Sequence, residues 1–334
     1  MYRRRAYTSE TDYAQMRSLV TRSLVVNGPR ALRQTSGKKS KQPDPWRLSG
    51  PVYCTVGNLD WWRCTSGEDG QVNLAQLWVD EQENVCGIAW PSNRDEIDLV
   101  SHPRHWSLEA EMIRWAEERR TALLEKDGAT EGTLRAWAAE EDDVRSSVLL
   151  RRGFERTEEH FALRLRPLDA AVPEAQLPPG YRIRQIRGVA ELDQRVRIHH
   201  DSFGSGRMTV RGHLAIMRAP TYRPDLDLVA VAPDGNFAAF CLVWFDPVNL
   251  VGLFEPVGCH PAYRRRGLAR ALLYEGMRRL QALGARAALA ESWHANALAT
   301  NLYEAVGLRI VGRNYAWVKH LSLACAQATA VADD

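Results

Sequence analysis

The stretch Val251-Gly-Leu-Phe-Glu-Pro-Val-Gly-Cys-His-Pro-Ala-Tyr-Arg-Arg-Arg-Gly-Leu-Ala-Arg270 decides the fold of this chain. It opens as an apolar run typical of a strand, and from Gly267 onward the apolar residues recur with the 3.6-residue period of a helix. The first turn of a helix has unpaired N–H groups and the positive end of the helix dipole. Gly267 and Ala269 leave that backbone uncovered, and the arginines add charge. The stretch therefore predicts an anion site between a strand and a helix.

Pro256 interrupts the strand that precedes this turn. Because proline has no N–H to donate to a neighbouring strand, pairing should break or bulge at this point. Backbone N–H groups near Val257 would then be free to point at a ligand. The sequence thus predicts a second group of donors beside the anion site.

The elements around this stretch predict a mixed sheet with helices on both faces. Strands are predicted at 181–186, 226–231, 237–245, 249–259, 286–291, 308–311 and 315–318, and helices at 189–199, 267–283 and 296–306. An antiparallel meander comes first, and strands then alternate with helices. Apolar residues 268, 272, 276 and 280 place one stripe of the long helix against the sheet.

The first half repeats this layout. Fifty residues separate Pro103 from Gly153, and 46 separate Pro261 from Gly307, with a long helix, a strand and a short helix between them in each case. We interpret the halves as two copies of one domain. The predicted fold class is α/β, with two tandem domains that each hold a mixed, mostly antiparallel sheet flanked by helices. The predicted limits are 1–165 for the first domain, 166–180 for a Pro- and Ala-rich linker with little to bury, 181–323 for the second domain and 324–334 for a disordered tail.

Composition excludes several classes of protein. The 334 residues include 44 Lys and Arg and 41 Asp and Glu, and a net charge of +3 is too small for a general nucleic-acid binder. No apolar run approaches the roughly 20 residues of a spanning helix, and no apolar segment follows the basic start as in an export signal. The six scattered cysteines form no C-x-x-C pair, so we expect reduced thiols, no metal site and a cytoplasmic location. A loop insertion is predicted over 28–51, which includes Lys38, Lys39 and Lys41.

Beyond the long helix, the residues follow a specific order. Glu291-Ser-Trp-His-Ala-Asn296 leads to Ala299, Leu302-Tyr303 and Gly307-Leu308. A phosphate turn, a helix, a strand, an Asn-capped helix, a Tyr and a Gly in this order resemble the GNAT superfamily of acyl-CoA-dependent N-acyltransferases. The resemblance covers about residues 181–320. It implies the GNAT fold and transfer of an acyl group from acetyl-CoA, or a longer acyl-CoA, to an amine.

The resemblance also implies roles for individual residues. The turn from Arg264 to Ala269 would hold the pyrophosphate of coenzyme A, the bulged strand would bind its pantetheine arm, and Tyr303 would protonate the departing thiolate. The residues so assigned to coenzyme A are Val257, Gly258, Cys259, Arg264, Arg265, Arg266, Gly267, Leu268, Ala269, Arg270, Asn296 and Tyr303. A phenol with a reference pKa of ~10 suits this proton transfer to a thiolate.

The general base is left open between two carboxylates. Glu255 lies on the bulged strand, and Glu291 ends the next predicted parallel strand. Members of the family that act on ribosomal-protein N-termini place their base at the second position, and others use a Glu two residues before Glu255, where this chain has Leu253. His294 is a weaker candidate for proton relay. With Tyr303, the two glutamates form the predicted catalytic set.

The first copy departs from the pattern at its turn and at the positions of the Asn and the Tyr. Its turn contains no glycine, and Trp106 and Glu109 would crowd and repel a diphosphate. Asp142 stands in place of the Asn and Leu149 in place of the Tyr. We therefore predict a copy without catalysis that braces the second domain or forms a wall of the acceptor cleft.

The predicted acceptor is a small-molecule or peptide amine bound between the domains. Tryptophans are abundant in the first half, and most should be buried, with a minority lining an acceptor pocket. His199, His200, Asp201 and Arg211 are further candidates for contacts with the acceptor. The alternatives are a non-catalytic acyl-CoA sensor or scaffold and, on the basic loop and turn, a nucleic-acid binder.

Overall fold

A computed structural model describes residues 2–29, 46–65 and 74–323. In the first half the elements are β1 (Arg3–Ala6), α1 (Glu10–Asn27), α2 (Val56–Thr65), β2 (Gln76–Val79), β3 (Val85–Pro91), β4 (Glu96–Ser101), α3 (Glu109–Asp127), β5 (Glu131–Ala139), α4 (Asp143–Arg151) and β6 (Glu155–Pro167). In the second half they are β7 (Arg182–Gln185), α5 (Leu192–Phe203), α6 (Val210–Ile216), β8 (Asp227–Val231), β9 (Phe237–Asp246), β10 (Val251–Cys259), α7 (Leu268–Ala282), β11 (Ala287–Trp293), α8 (Ala297–Ala305) and β12 (Arg309–Ser322). The predicted fold class, a mixed sheet flanked by helices, is confirmed.

The described strands form one continuous sheet in the order β1-β2-β3-β4-β5-β12-β6-β11-β10-β9-β8-β7. Pairing is antiparallel except between β4 and β5 in the first half and between β10 and β11 in the second. Each half therefore has one parallel pair at the same place in its layout. No helix in the described ranges is long and apolar enough to cross a bilayer.

The two halves exchange their last strands. β6, from the first half, pairs with β11 of the second, while β12, at the end of the chain, pairs with both β5 and β6. The two strands predicted at 308–311 and 315–318 are in fact this one strand. Register shifts near Gly312 and between Tyr315 and Trp317 absorb the polar residues that seemed to interrupt it.

The segment between the halves is not the bare connector that its composition suggests. Arg166 and Pro167 still belong to β6, where they pair with β11, so the strand runs past the predicted domain limit at 165. Leu168 and Val172 are buried in the core of the second half. The predicted limits of the domains stay a prediction. The tail 324–334 and the three lysines of the basic loop lie outside the described residues.

A shared core joins the halves. Leu24, Val52 and Leu163 of the first half pack with Trp244 and Leu253 of the second in one cluster of buried side chains. Since apolar contact of this kind resembles a domain interior rather than a transient interface, the halves form one packed body.

Candidate active site

A bulge in β10 lies at the centre of the site. Pairing with β9 is regular up to Phe254, opposite Val243, and resumes at Val257, opposite Cys241, so β10 contains one extra residue. The interruption predicted at Pro256 is thereby confirmed. Trp244 donates its indole N–H to the carbonyl oxygen of Glu255 at 2.7 Å, which fixes the backbone inside the bulge.

The two candidate bases stand on neighbouring parallel strands. β10 and β11 pair over three residues, ending with Leu253 opposite Leu289, and the same offset brings Glu255 level with Glu291. Both side chains are partly buried. Burial raises the pKa of both carboxyls, and the nearby Glu255 carboxylate raises that of Glu291 further.

The first half contributes two polar groups that the sequence analysis missed. Asn58, at the start of α2, donates its amide N–H to the Glu255 carboxylate at 2.6 Å. Asp98, on β4, adds a third carboxylate that raises the pKa of Glu291. Burial raises the pKa of Asp98 itself to about 7, against a hydrogen bond from Ser92. These contacts span up to 197 residues of sequence, so no local pattern could have revealed them.

Tyr303 lies on α8 beside the two glutamates and is 6% exposed. Burial and the Glu255 carboxylate raise the pKa of its phenol, while Arg164 acts in the opposite direction. The hydroxyl therefore stays protonated at neutral pH. This position and protonation state suit a proton donor.

The predicted phosphate turn has an exposed, left-handed backbone. Arg265 has φ +63° and Gly267 has φ +77°, and a Cβ at Gly267 would meet only the guanidinium of Arg270, at 3.8 Å. Arg264 donates to the carbonyl oxygens of Cys259 and Ser202 at 3.2 and 3.1 Å. Open backbone, first-turn amides and exposed arginines at the start of the 15-residue helix α7 fit a diphosphate.

Other residues predicted to bind coenzyme A have structural tasks as well. Leu268 is 1% exposed and packs in the core, so only its backbone faces the turn. Gly258 packs against Phe240, whose ring would lie 2.4 Å from an added Cβ. Asn296 caps α8 by accepting the N–H of Ala299 at 3.0 Å. Val257 and Cys259 are partly buried, Arg266 donates to the Tyr181 hydroxyl, and Ala269 is partly exposed in the first turn of α7.

A cleft of about 570 Å³ lies between the halves next to the bulge. Its lining includes Trp61, Trp62, Trp90, Asp98, His199 and Pro256. Three tryptophans of the first half thus face the residue that directly follows Glu255. The cleft is mainly apolar, with a carboxylate in its wall.

The remaining acceptor candidates divide into two groups. His199 lines the cleft, and burial together with Arg195 lowers its pKa to about 4, so it is neutral at physiological pH. Arg211 lines an adjoining cavity. His200 contacts the carbonyl of Met208, and Asp201 pairs with His260 at 3.7 Å.

His294 stacks on His160 at a ring distance of 5.0 Å and is exposed. Within the described ranges, no three His, Cys, Asp or Glu side chains are placed to hold a metal ion.

The equivalent site of the first copy is filled by the chain itself. Arg145 forms a buried two-bond ion pair with Glu109, at 2.8 and 2.9 Å, in the first turn of α3. The ring of Tyr53 stacks on the Arg145 guanidinium, whose carbon lies 3.7 Å from the ring centre. The Tyr53 hydroxyl donates to the Asp142 carboxylate. A carboxylate paired with Arg145 thus stands at this helix start, where the second copy has a glycine and exposed arginines.

The comparisons with known proteins agree with this geometry. Residues 196–308 match the family model described as "Acetyltransferase (GNAT) family". A mycothiol acetyltransferase of Saccharopolyspora erythraea is 29% identical over 195 residues, which span 56% of this chain and 64% of that protein. One from Arthrobacter sp. strain FB24 is 26% identical over 262 residues, or 72% and 78% of the two chains.

Two solved structures show the same fold across nearly the whole chain. A GCN5-related N-acetyltransferase from Sphaerobacter thermophilus superposes with a TM-score of 0.63, 20% identity and 96% coverage of both chains. A tandem GNAT protein from the clavulanic acid biosynthesis pathway gives 0.59 and 16%, covering 96% of this chain and 98% of that one.

Fold and family match together define the class of this protein, an N-acetyltransferase. Residues 196–308 therefore form a domain that matches the GNAT family, and the whole chain has the fold of tandem GNAT proteins, in an arrangement similar to that of mycothiol synthase. Acetyl-CoA is the co-substrate that this family uses.

Proposed function

We propose that the second half of the chain transfers an acetyl group from acetyl-CoA to a primary amine bound in the cleft between the halves. One observation carries the proposal. Two glutamates with raised pKa and a protonated tyrosine lie together at the point where β10 and β11 part, beside a bulged strand and an open helix start. Base, acid and anion site are thus combined in one place.

The residues would act in a fixed order. The turn at Arg264–Arg270 holds the diphosphate of the donor, and backbone N–H groups near Val257 donate to the thioester carbonyl oxygen, where negative charge develops. Glu255 or Glu291 accepts the proton of the acceptor ammonium, and the freed amine attacks the carbonyl carbon. Tyr303 then donates its proton to the sulfur as the carbon–sulfur bond breaks, and the attacking nitrogen returns its second proton to the phenolate, so that an amide, a free thiol and a neutral tyrosine remain.

We also propose the class of acceptor. The relatives are named mycothiol acetyltransferases, and the small size of the cleft suits a small molecule rather than a folded protein. The amine that yields mycothiol on acetylation is accordingly the first acceptor to test. Use of acetyl-CoA fits the cytoplasmic location predicted from the sequence.

Calorimetric titration with acetyl-CoA tests the donor site. We expect one site per chain, because the first copy fills its own with Glu109, Arg145 and Tyr53. Two sites would overturn the assignment of the first copy, and no binding would overturn the phosphate turn.

Thiol release from acetyl-CoA, measured over a panel of amino acids, amino sugars and the mycothiol amine, tests the activity. Turnover that depends on one of these amines supports the enzyme. Tight binding of acetyl-CoA without turnover on any of them would favour the alternative of a sensor or scaffold.

A further inference from the structure

We infer that Asn58, in the copy without catalysis, is a positioning residue that makes Glu255 the base of the other copy and leaves the shared proton on Glu291. The inference deepens the proposed function and rests on it for the word "base". It assigns the first half a direct part in the active site. It also decides between the two glutamates that the sequence leaves open.

The amide of Asn58 can point in only one way. Its Oδ1 accepts both the backbone N–H and the hydroxyl of Thr55, at 2.9 and 2.7 Å, and the Thr55 hydroxyl in turn accepts the N–H of Asn58 at 3.3 Å. This reciprocal pair caps α2. Turning the amide over would set its NH₂ group against the backbone N–H of Thr55 and its Oδ1 against the Glu255 carboxylate, so the NH₂ is directed at Glu255. Asn58 is 0% exposed, so its amide has no contact with bulk solvent.

Close approach of α2 to the second half holds this contact in place. A Cβ at Gly57 would lie 2.5 Å from the Cβ of Trp244, so the start of the helix rests directly on β9. Trp244 itself donates to the backbone carbonyl of Glu255. The carboxylate and the main chain of Glu255 are therefore both held by neighbours that touch one another.

The surroundings separate the two glutamates. The repulsion between the two carboxylates is mutual, so other neighbours distinguish them: Glu255 receives a hydrogen bond from Asn58 that favours its ionised form, whereas the Asp98 carboxylate acts on Glu291 and opposes its ionisation. Tyr303 on α8 and Cys54, ahead of α2, are the other titratable groups facing the pair, and burial keeps both protonated. Arg164 faces Tyr303. The first proton to leave the pair is then that of Glu255.

The experiment is a pH profile of kcat/KM with acetyl-CoA and the best amine of the panel. Asn58→Leu removes the NH₂ donor while keeping a side chain of similar volume. Asn58→Asp replaces the amide with a carboxylate of the same shape, which accepts hydrogen bonds and carries a negative charge. We expect the acidic limb to move to higher pH by about half a unit or more in the first variant and further in the second. Thr55→Val, which only loosens the amide, should give a smaller shift in the same direction.

Matched variants complete the test. Tyr53 lies in the same segment, but its hydroxyl donates to Asp142 of the first copy. The acidic limb of the Tyr53→Phe variant should therefore match that of the wild type. Glu255→Gln should lower kcat more than Glu291→Gln, because glutamine imitates the protonated state that we assign to Glu291. In a protein that already carries Glu255→Gln, adding Asn58→Leu should leave the pH profile of kcat/KM unchanged. An acidic limb unchanged in folded Asn58 variants, or a greater loss with Glu291→Gln, would overturn the inference.

A second readout does not depend on turnover. Because the Asn58 amide stabilises the ionised carboxylate, its removal should lower the thermal stability more at pH 8 than at pH 5. Equal losses at both pH values would contradict the positioning role. If the wild type acetylates no amine, yet the Asn58→Leu variant loses more stability at pH 8 than at pH 5, then the proposed function fails while the contact between Asn58 and Glu255 stands.

Discussion

At the scale of single residues, the proposed site depends on a tyrosine and a glutamate that stay in their neutral, protonated forms. Tyr303 and Glu291 both have pKa values raised by burial, and each has a carboxylate nearby. A phenol that stays protonated can donate, and a carboxyl pair that holds one proton can accept another from an ammonium group. Two predictions concern these residues.

Replacing Tyr303 with phenylalanine removes the proton donor and leaves the ring. We expect kcat to fall by about 10²–10⁴-fold, the usual contribution of a general acid, with acetyl-CoA affinity within about twofold of the wild type. Steady-state kinetics and calorimetry would measure the two quantities. Tyr274→Phe is the control, since its hydroxyl bonds to the Ala305 carbonyl on the neighbouring helix and should affect neither. An unchanged kcat in Tyr303→Phe would remove the tyrosine from the mechanism.

Glu291→Gln should change stability in a pH-dependent way. The pKa of Glu291 is higher in the folded than in the unfolded protein, so the protonated carboxyl contributes to the stability of the fold. This contribution is fully present below the unfolded-state pKa and is lost as the pH rises through the folded-state pKa. Glutamine carries no such penalty. We expect the variant to gain several degrees in Tm over the wild type at pH 9 and to gain little at pH 4. Scanning calorimetry across this range checks the sign, and a larger gain at the acidic end contradicts it.

At the scale of elements, two helix starts with the same place in the fold have opposite chemistry. α7 begins with a left-handed glycine and exposed arginines, and α3 begins with a glutamate neutralised by Arg145. The same framework therefore presents an open, positively charged helix start in one copy and a paired carboxylate in the other. The backbone differs as well: a 3-10 turn over Pro103–Leu108 runs directly into α3, so that Glu109 donates its N–H to the Trp106 carbonyl, whereas α7 follows the left-handed Gly267.

Gly267→Glu tests the open helix start. A carboxylate there would repel the diphosphate and cover the backbone, so calorimetry should detect no binding of acetyl-CoA. Gly284→Glu is a matched control at the other end of α7, because Gly284 has φ +79°, close to the +77° of Gly267, with open space around its Cα. Both variants should lose similar stability, but only the first should lose the ligand. Retained affinity in Gly267→Glu would refute the site.

At the scale of the whole molecule, the exchanged strands make the halves dependent on each other. β12 lies between β5 and β6, and β6 lies between β12 and β11, so neither half has a complete sheet alone. The candidate active site in the second half also includes Asn58 and Asp98 from the first half. In the proposed mechanism, the first copy therefore serves as structure and as part of the acceptor cleft.

Dividing the chain between Ala175 and Gln176 tests this dependence. The two pieces, produced together, should co-purify, bind acetyl-CoA and unfold in one cooperative transition. Produced separately, neither should show a cooperative transition, because each lacks the strand that joins its own last strand to the rest of its sheet. A piece 176–334 that folds alone and binds acetyl-CoA would show that the second half is autonomous.

Sequence alone determined the features that depend on local patterns. The period change at Gly267, Pro256 within an apolar run and the Asn-x-x-Ala order after β11 located the helix start, the bulge and the capped helix, because each is set by residues a few positions apart. The repeat of this layout indicated two copies. Leu149 and Glu109 showed that the first copy lacks the residues of the second.

Tertiary structure decided what depends on distant parts of the chain. The strand exchange, the burial of Leu168 and Val172 and the plug formed by Tyr53 follow from packing between halves, which leaves no periodic trace in the sequence. The contact between Asn58 and Glu255 joins residues 197 positions apart. A carboxylate's pKa depends on the groups around it in space, so one base could be proposed over the other only after the fold had brought those groups together.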